Sequence, residues 1–105
     1  MGSLVLLVVV SSLALVAQTT GTLNGTVRDA SGGTVRGAAV RAKQVETGLT
    51  RSTVSDETGR FVVPTLPAGS YEVRVDAQGF RPLVRRGVEL TVGSSATLEL
   101  TVELG

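Results

Sequence analysis

A chain of 105 residues accommodates one small domain, and ten basic against nine acidic residues leave a formal charge of +1. It contains neither cysteine nor histidine, which excludes disulfides, thiol and imidazole catalysis and the usual zinc ligands. The charges are interspersed and the aromatics are Phe61, Tyr71 and Phe80 alone, which excludes an electrostatic footprint or a stacking platform for nucleic acid.

In chain order, the first segment is Leu4 to Ala17, apolar except for Ser11 and Ser12. A spanning helix needs roughly 20 apolar residues, so this run fits the hydrophobic region of a secretory signal better than a membrane span, a core helix or a buried strand. Cleavage is expected after Ala17, although no Lys or Arg precedes the run and Leu15 is bulky for its place. Without a cysteine there is no lipoprotein anchor. The expected division is residues 1–17 as signal peptide, 18–21 as linker and 22–105 as the folded domain.

The rest reads as strands separated by turn chemistry. Leu23, Gly25 and Val27 face inward on a first strand, with Asn24, Thr26 and Arg28 outward. Ser31-Gly32-Gly33 breaks it. Ala38, Val40 and Ala42 are the inward face of a second strand, with Arg41 and Lys43 in water. Thr47-Gly48 reverses the chain into a third strand, Thr50 to Ser55, whose faces are both weakly apolar, which predicts a sheet edge. Asp56 and Gly59 occupy the first and fourth positions of a tight turn. Phe61 and Val63 mark a short fourth strand that Pro64 is expected to end, with Leu66 plugging the corner. Pro67 and Gly69 shape the next reversal. Tyr71, Val73, Val75 and Ala77 alternate with polar residues on a fifth strand. Gly79 and Phe80 open a looser segment through Leu83 and Val84; Val88, Leu90 and Val92 mark a sixth strand. After Gly93-Ser94-Ser95, a last strand carries Ala96, Leu98, Leu100 and Val102 inward.

Seven short strands at roughly ten-residue spacing predict an all-β, antiparallel Greek-key sandwich. Its core is expected to hold Val27, Val40, Phe61, Leu66, Tyr71, Val73, Val75, Leu98 and Leu100, with the Tyr71 hydroxyl reaching a backbone partner or solvent.

The spacing Asp56, Gly59, Phe61, Leu66, Pro67, Gly69, Tyr71, Val73, Gly79, Phe80 resembles the carboxypeptidase regulatory-like domain, a small sandwich akin to transthyretin and to carbohydrate-binding-like folds. Gly25-Thr26-Val27-Arg28-Asp29, Gly37-Ala38-Ala39-Val40, Thr47-Gly48, Gly87-Val88-Glu89-Leu90 and the strand from Ala96 to Leu104 extend the likeness. Arg36 departs from the proline often found there. The subgroup it resembles lies at the N-terminus of TonB-dependent outer-membrane receptors, directly after the signal peptide. The resemblance implies no peptidase activity, because the family's name comes from an accessory domain of metallocarboxypeptidases.

No residue pattern adds chemistry. Asp56, Glu57 and Asp76 are too few oxygens for calcium, and Asp56 serves turn geometry. Arg81, Arg85 and Arg86 read as a solvated rim, and the glycine pairs lack the strand-to-helix setting of a phosphate loop. Every Ser and Thr lacks an imidazole partner, so no catalytic, metal or cofactor residues are expected. Two functional classes remain. One is a structural or interaction module of an exported receptor, facing the periplasm. It would meet a protein partner by strand addition at the third strand or, if the chain is a fragment of the receptor, the receptor's own plug and barrel. The other is a secreted or cell-surface module that binds carbohydrate or mediates adhesion.

Overall fold

Alternation with a period of two runs through almost every strand of this chain, and the computed structural model, which describes Gly2 and residues 20–105, folds accordingly into strands alone. The expected leader and its cleavage after Ala17 lie, Gly2 apart, outside the described residues. The strands are β1 (Thr20–Asp29), β2 (Ala39–Gln44), β3 (Thr50–Val54), β4 (Arg60–Pro67), β5 (Gly69–Asp76), β6 (Leu83–Leu90) and β7 (Ser95–Val102). Thr20 and Gly21, expected in a linker, already belong to β1 and pair with Pro67 and Leu66.

Two sheets face each other, one ordered β4-β1-β7 and the other β3-β2-β5-β6. Between them lie the expected residues Val27, Val40, Phe61, Leu66, Tyr71, Val73, Val75 and Leu100, all buried, joined by Leu23, Val35, Ala38, Ala42, Val63, Val88, Leu90 and Val102. Leu98 is only partly buried, because β7 is the outer strand of its sheet. All pairings are antiparallel, as expected, except β1–β7, which is parallel. The connection from β6 carries the chain across to the other sheet, so no tight hairpin dictates the direction in which β7 meets β1.

Two other expectations are corrected. Pro64 does not end the fourth strand: β4 continues to Pro67, and Pro64 and Thr65 together oppose Thr22 in a bulge, with Thr65 at φ 60°. An edge strand tolerates this because the missing proline N–H faces away from the ladder. The looser segment around Leu83 and Val84 is the start of β6, whereas Val92 lies in the following turn and is exposed. A second bulge, Arg86 and Gly87 against Glu72, reverses the parity of β6, so the run Leu83–Arg85 could not be read in phase with Val88 and Leu90.

Gly25 shows why the centre of β1 lacks a side chain. A Cβ there would stand 2.0 Å from the Leu98 carbonyl oxygen and 2.8 Å from Cζ of Phe61, its cross-strand partner. The Phe61 ring fills that space instead. Lys43 and Asn24 lie on successive strands that belong to different sheets, and both point outward, on opposite faces of the sandwich. An isopeptide bond needs both side chains buried beside a protonated acid. Intact-mass measurement of the folded protein should therefore match the unmodified mass calculated from its own first residue to Gly105; a further deficit of about 17 Da, the ammonia lost in such a bond, would reverse this facing.

Candidate strand-accepting edge

The residues picked out by spacing build the frame around the core. Asp56 Oδ1 accepts from Thr58 N (2.9 Å), Thr58 Oγ1 (2.8 Å) and Arg60 N (3.0 Å), while Gly59 N donates to Asp56 O at 2.9 Å. Gly59 sits at φ 77°, and a Cβ there would lie 2.7 Å from Val27 O, so the turn docks against β1 only with glycine at this place. Phe61, Leu66, Tyr71 and Val73 converge in the core. Tyr71 is 1% exposed and its hydroxyl donates to Pro67 O at 2.5 Å, stapling β5 to the end of β4. Burial raises the Tyr71 pKa. Gly69, at φ 150°, makes the reversal between β4 and β5. Gly79 and Phe80 lie beyond the end of β5, at the same end of the sandwich as the Asp56–Gly59 turn and opposite the Pro67–Gly69 reversal. There Phe80 is half-buried and bridges to Leu104, and Gly79 O accepts from Gly105 N.

Some structural residues escaped the sequence reading. Asp29 builds a turn of the same design as Asp56: its Oδ1 accepts from Ser31 N, Ser31 Oγ and Gly33 N at 2.9, 2.6 and 2.9 Å. The shared spacing Asp-x-Ser/Thr-Gly was the available signal. These hydrogen bonds, led by Ser31 and Thr58 respectively, hold both carboxyls below the usual aspartate range. Their contribution to stability is full above that range and is lost as pH falls through the lowered values. A variant combining Asp29→Asn and Asp56→Asn should therefore show a flatter fall of urea midpoint between about pH 5 and 2 than the parent. Parallel curves would assign acid lability elsewhere.

Gln44 and Ser55 are buried polar residues. Gln44 Nε2 donates to Ala68 O (3.2 Å), and its Oε1 accepts from Thr47 Oγ1 (2.7 Å). Ser55 Oγ donates to Val35 O (2.7 Å) and accepts from Ala38 N (2.9 Å), fixing the loop that leads into β2. The parity of Val40 and Ala42 already placed Gln44 inside. Among the described residues no three Asp, Glu, His or Cys side chains gather to hold a metal ion.

What remains as a surface for recognition is the set of sheet edges, and they are unequal. β4 is interrupted by Pro64 and its bulge, and β6 by the bulge at Arg86 and Gly87. β7 is covered near its C-terminal end, where Arg81 N donates to Glu103 O at 2.7 Å and Phe80 pairs with Leu104; an Arg85 N–H also reaches Glu99 O at 3.5 Å. β3 is the predicted edge, and it carries no proline, glycine or bulge. The bonds Gln44 N to Leu49 O and Ser55 N to Ala38 O set the phase of the β2–β3 ladder. Bonded pairs alternate, so Arg51 and Thr53 bond to β2, while Thr50, Ser52 and Val54 turn their N–H and C=O groups to the free side.

Comparison with solved structures returns the same sandwich. The chain aligns with the Bacillus anthracis TIE protein at 21% identity and TM-score 0.69, covering 82% of this chain and 17% of that one. It aligns with the "putative carbohydrate binding protein" from Bacteroides uniformis at 18% identity and TM-score 0.65, covering 79% and 41%. Catechol 1,2-dioxygenase from Pseudomonas arvilla aligns at 14% identity and TM-score 0.65, covering 83% and 53%. The chain thus spans less than two thirds of each of these proteins, and at such identities the likeness is one of fold alone. No curated protein matches the sequence. Residues 22–103 match the carboxypeptidase regulatory-like domain, a regulatory rather than a catalytic module, and the two turns, the Tyr71 staple and the paired sheets are the frame on which that match lies. The chain belongs to the carboxypeptidase regulatory-like domain family.

Proposed function

We propose that this domain is a non-catalytic accessory module, the N-terminal periplasmic extension of a TonB-dependent outer-membrane receptor, and that it engages a protein partner by strand addition. The single observation that carries the interaction role is the uninterrupted β3 edge, with the backbone groups of Thr50, Ser52 and Val54 directed outward. The receptor setting rests on the apolar leader ahead of the domain and on the subgroup that the sequence resembles. Two measurements test that setting. Mature protein recovered from the periplasm or outer membrane should begin at Gln18, and the reading frame beyond Gly105 should encode a plug and barrel. A chain that retains Met1, or a frame that continues into repeated sandwich modules, would overturn it.

A carbohydrate-binding module is the second reading, supported by the fold shared with the Bacteroides uniformis protein. An open hollow of about 370 Å³ on the outer face of the β4-β1-β7 sheet offers Asn24, Thr26, Arg60 and Thr97 as polar groups. The side chains of Phe61 and Tyr71, however, are committed to the core, and Phe80 is half-buried at the sandwich end. Sugar rings would lack the aromatic platform on which they stack, so strand addition is preferred.

A further inference from the structure

The inner face of the β3-β2-β5-β6 sheet contains a row that runs Arg51, Ala42, Val73, Arg85, with an arginine at each edge. Arg85 reaches across to the β7 carbonyl at Glu99. Arg51 has no such use: it is exposed, and no carboxylate lies within 4 Å of it among the described residues. Arg41 and Lys43, on the outer face of the adjoining strand, also lack ion pairs there. On the inner face Arg51 therefore stands without a compensating acid, whereas on the outer face Lys43 has Glu72 opposite it and Arg41 helps to hold the Asp76 carboxyl low, with only the short side chains of Thr50 and Ser52 between this pair of cations and the edge.

An inward-pointing charge on an edge strand ordinarily repels pairing, because an added strand would cover the charge without compensating it. Arg51 is the residue that bonds to β2, so towards an incoming strand it occupies a non-hydrogen-bonded position, where facing side chains approach most closely. A carboxylate at that one position converts the penalty into an ion pair; a neutral or basic residue does not. Resting on the strand-accepting reading above, we infer that the β3 edge selects an extended segment of a partner protein that carries an acidic residue opposite Arg51.

The test uses the whole chain and three fluorescein-labelled nonapeptides of alternating threonine and valine that differ only at the central residue: glutamate, glutamine or lysine. Anisotropy titrations should show the glutamate peptide binding about two- to fivefold more tightly than the glutamine peptide, with the lysine peptide weakest. Arg51→Glu should invert the order of the glutamate and lysine peptides. Ser52→Pro removes an outward N–H and leaves the β2 ladder intact, so it should weaken every peptide; Val54→Pro does the same one pair along and stands in should Ser52→Pro misfold. Equal binding of the three peptides, still sensitive to proline, would overturn the charge selection and leave strand addition standing. Absence of binding by all three, or binding indifferent to both prolines, would overturn strand addition itself.

Discussion

Tyr71→Ala and Phe61→Ala should each destabilise the domain by about 3–5 kcal/mol, enough to unfold a sandwich of ordinary marginal stability. Both side chains are buried, at 1% and 2% exposure, so truncation of either removes core contacts and leaves a cavity. Phe61 covers the bare backbone at Gly25, and Tyr71 spans the core to reach Pro67 O. Tyr71→Phe separates packing from the staple: it leaves Pro67 O without its side-chain donor and should cost about 1–2 kcal/mol. Glu72→Ala and Arg74→Ala, on the outward face of the same strand, should each change stability by under about 1 kcal/mol, since their ion pairs with Arg86 and Asp76 are exposed. Denaturant melts of the four alanine variants measure this directly. Equal losses in both pairs would mean that β5 faces the other way.

Gly25→Ala should be as damaging as losing an aromatic. One methyl group placed 2.0 Å from the Leu98 carbonyl oxygen has backbone on one side and the Phe61 ring on the other. Either β7 moves away from β1, breaking a ladder at the centre of the three-stranded sheet, or the ring leaves its place. A cost of about 3 kcal/mol or more is expected, at the upper end for overpacking. Gly93→Ala supplies the contrast. That glycine has φ 71° but nothing within 4 Å of its missing Cβ, so only the left-handed backbone is penalised, by about 1–2 kcal/mol. A Gly25→Ala protein that melts with the parent would refute the close approach of β1 and β7.

The family resemblance was legible because its signals are local. Turn residues and period-two alternation act within a few positions of one another, so the Asp56–Gly59 turn, the inward set from Leu23 to Leu100 and the edge character of the third strand could all be read in order. Ser70 shows the limit of that reading: its outward place follows from alternation, but its hydrogen bond to Glu89 depends on which strand lies alongside.

The sequence by itself determined that this chain is a β-sandwich without cysteine or histidine chemistry, which face each of most strands turns inward, and where the reversals fall. Composition and short-range backbone preference suffice for that. Only the tertiary structure decided that β1 and β7 run parallel, that bulges at Pro64–Thr65 and Arg86–Gly87 shift the register, and that, among the described residues, β3 is an edge without the bulges of β4 and β6 and without the contacts that meet the C-terminal end of β7. It also placed Arg51 at the rim of the inner face without a carboxylate partner. Those features depend on contacts between residues tens of positions apart. A one-residue bulge reverses every later facing, and a charge is solvated or stranded according to the strand beside it, which no local pattern encodes.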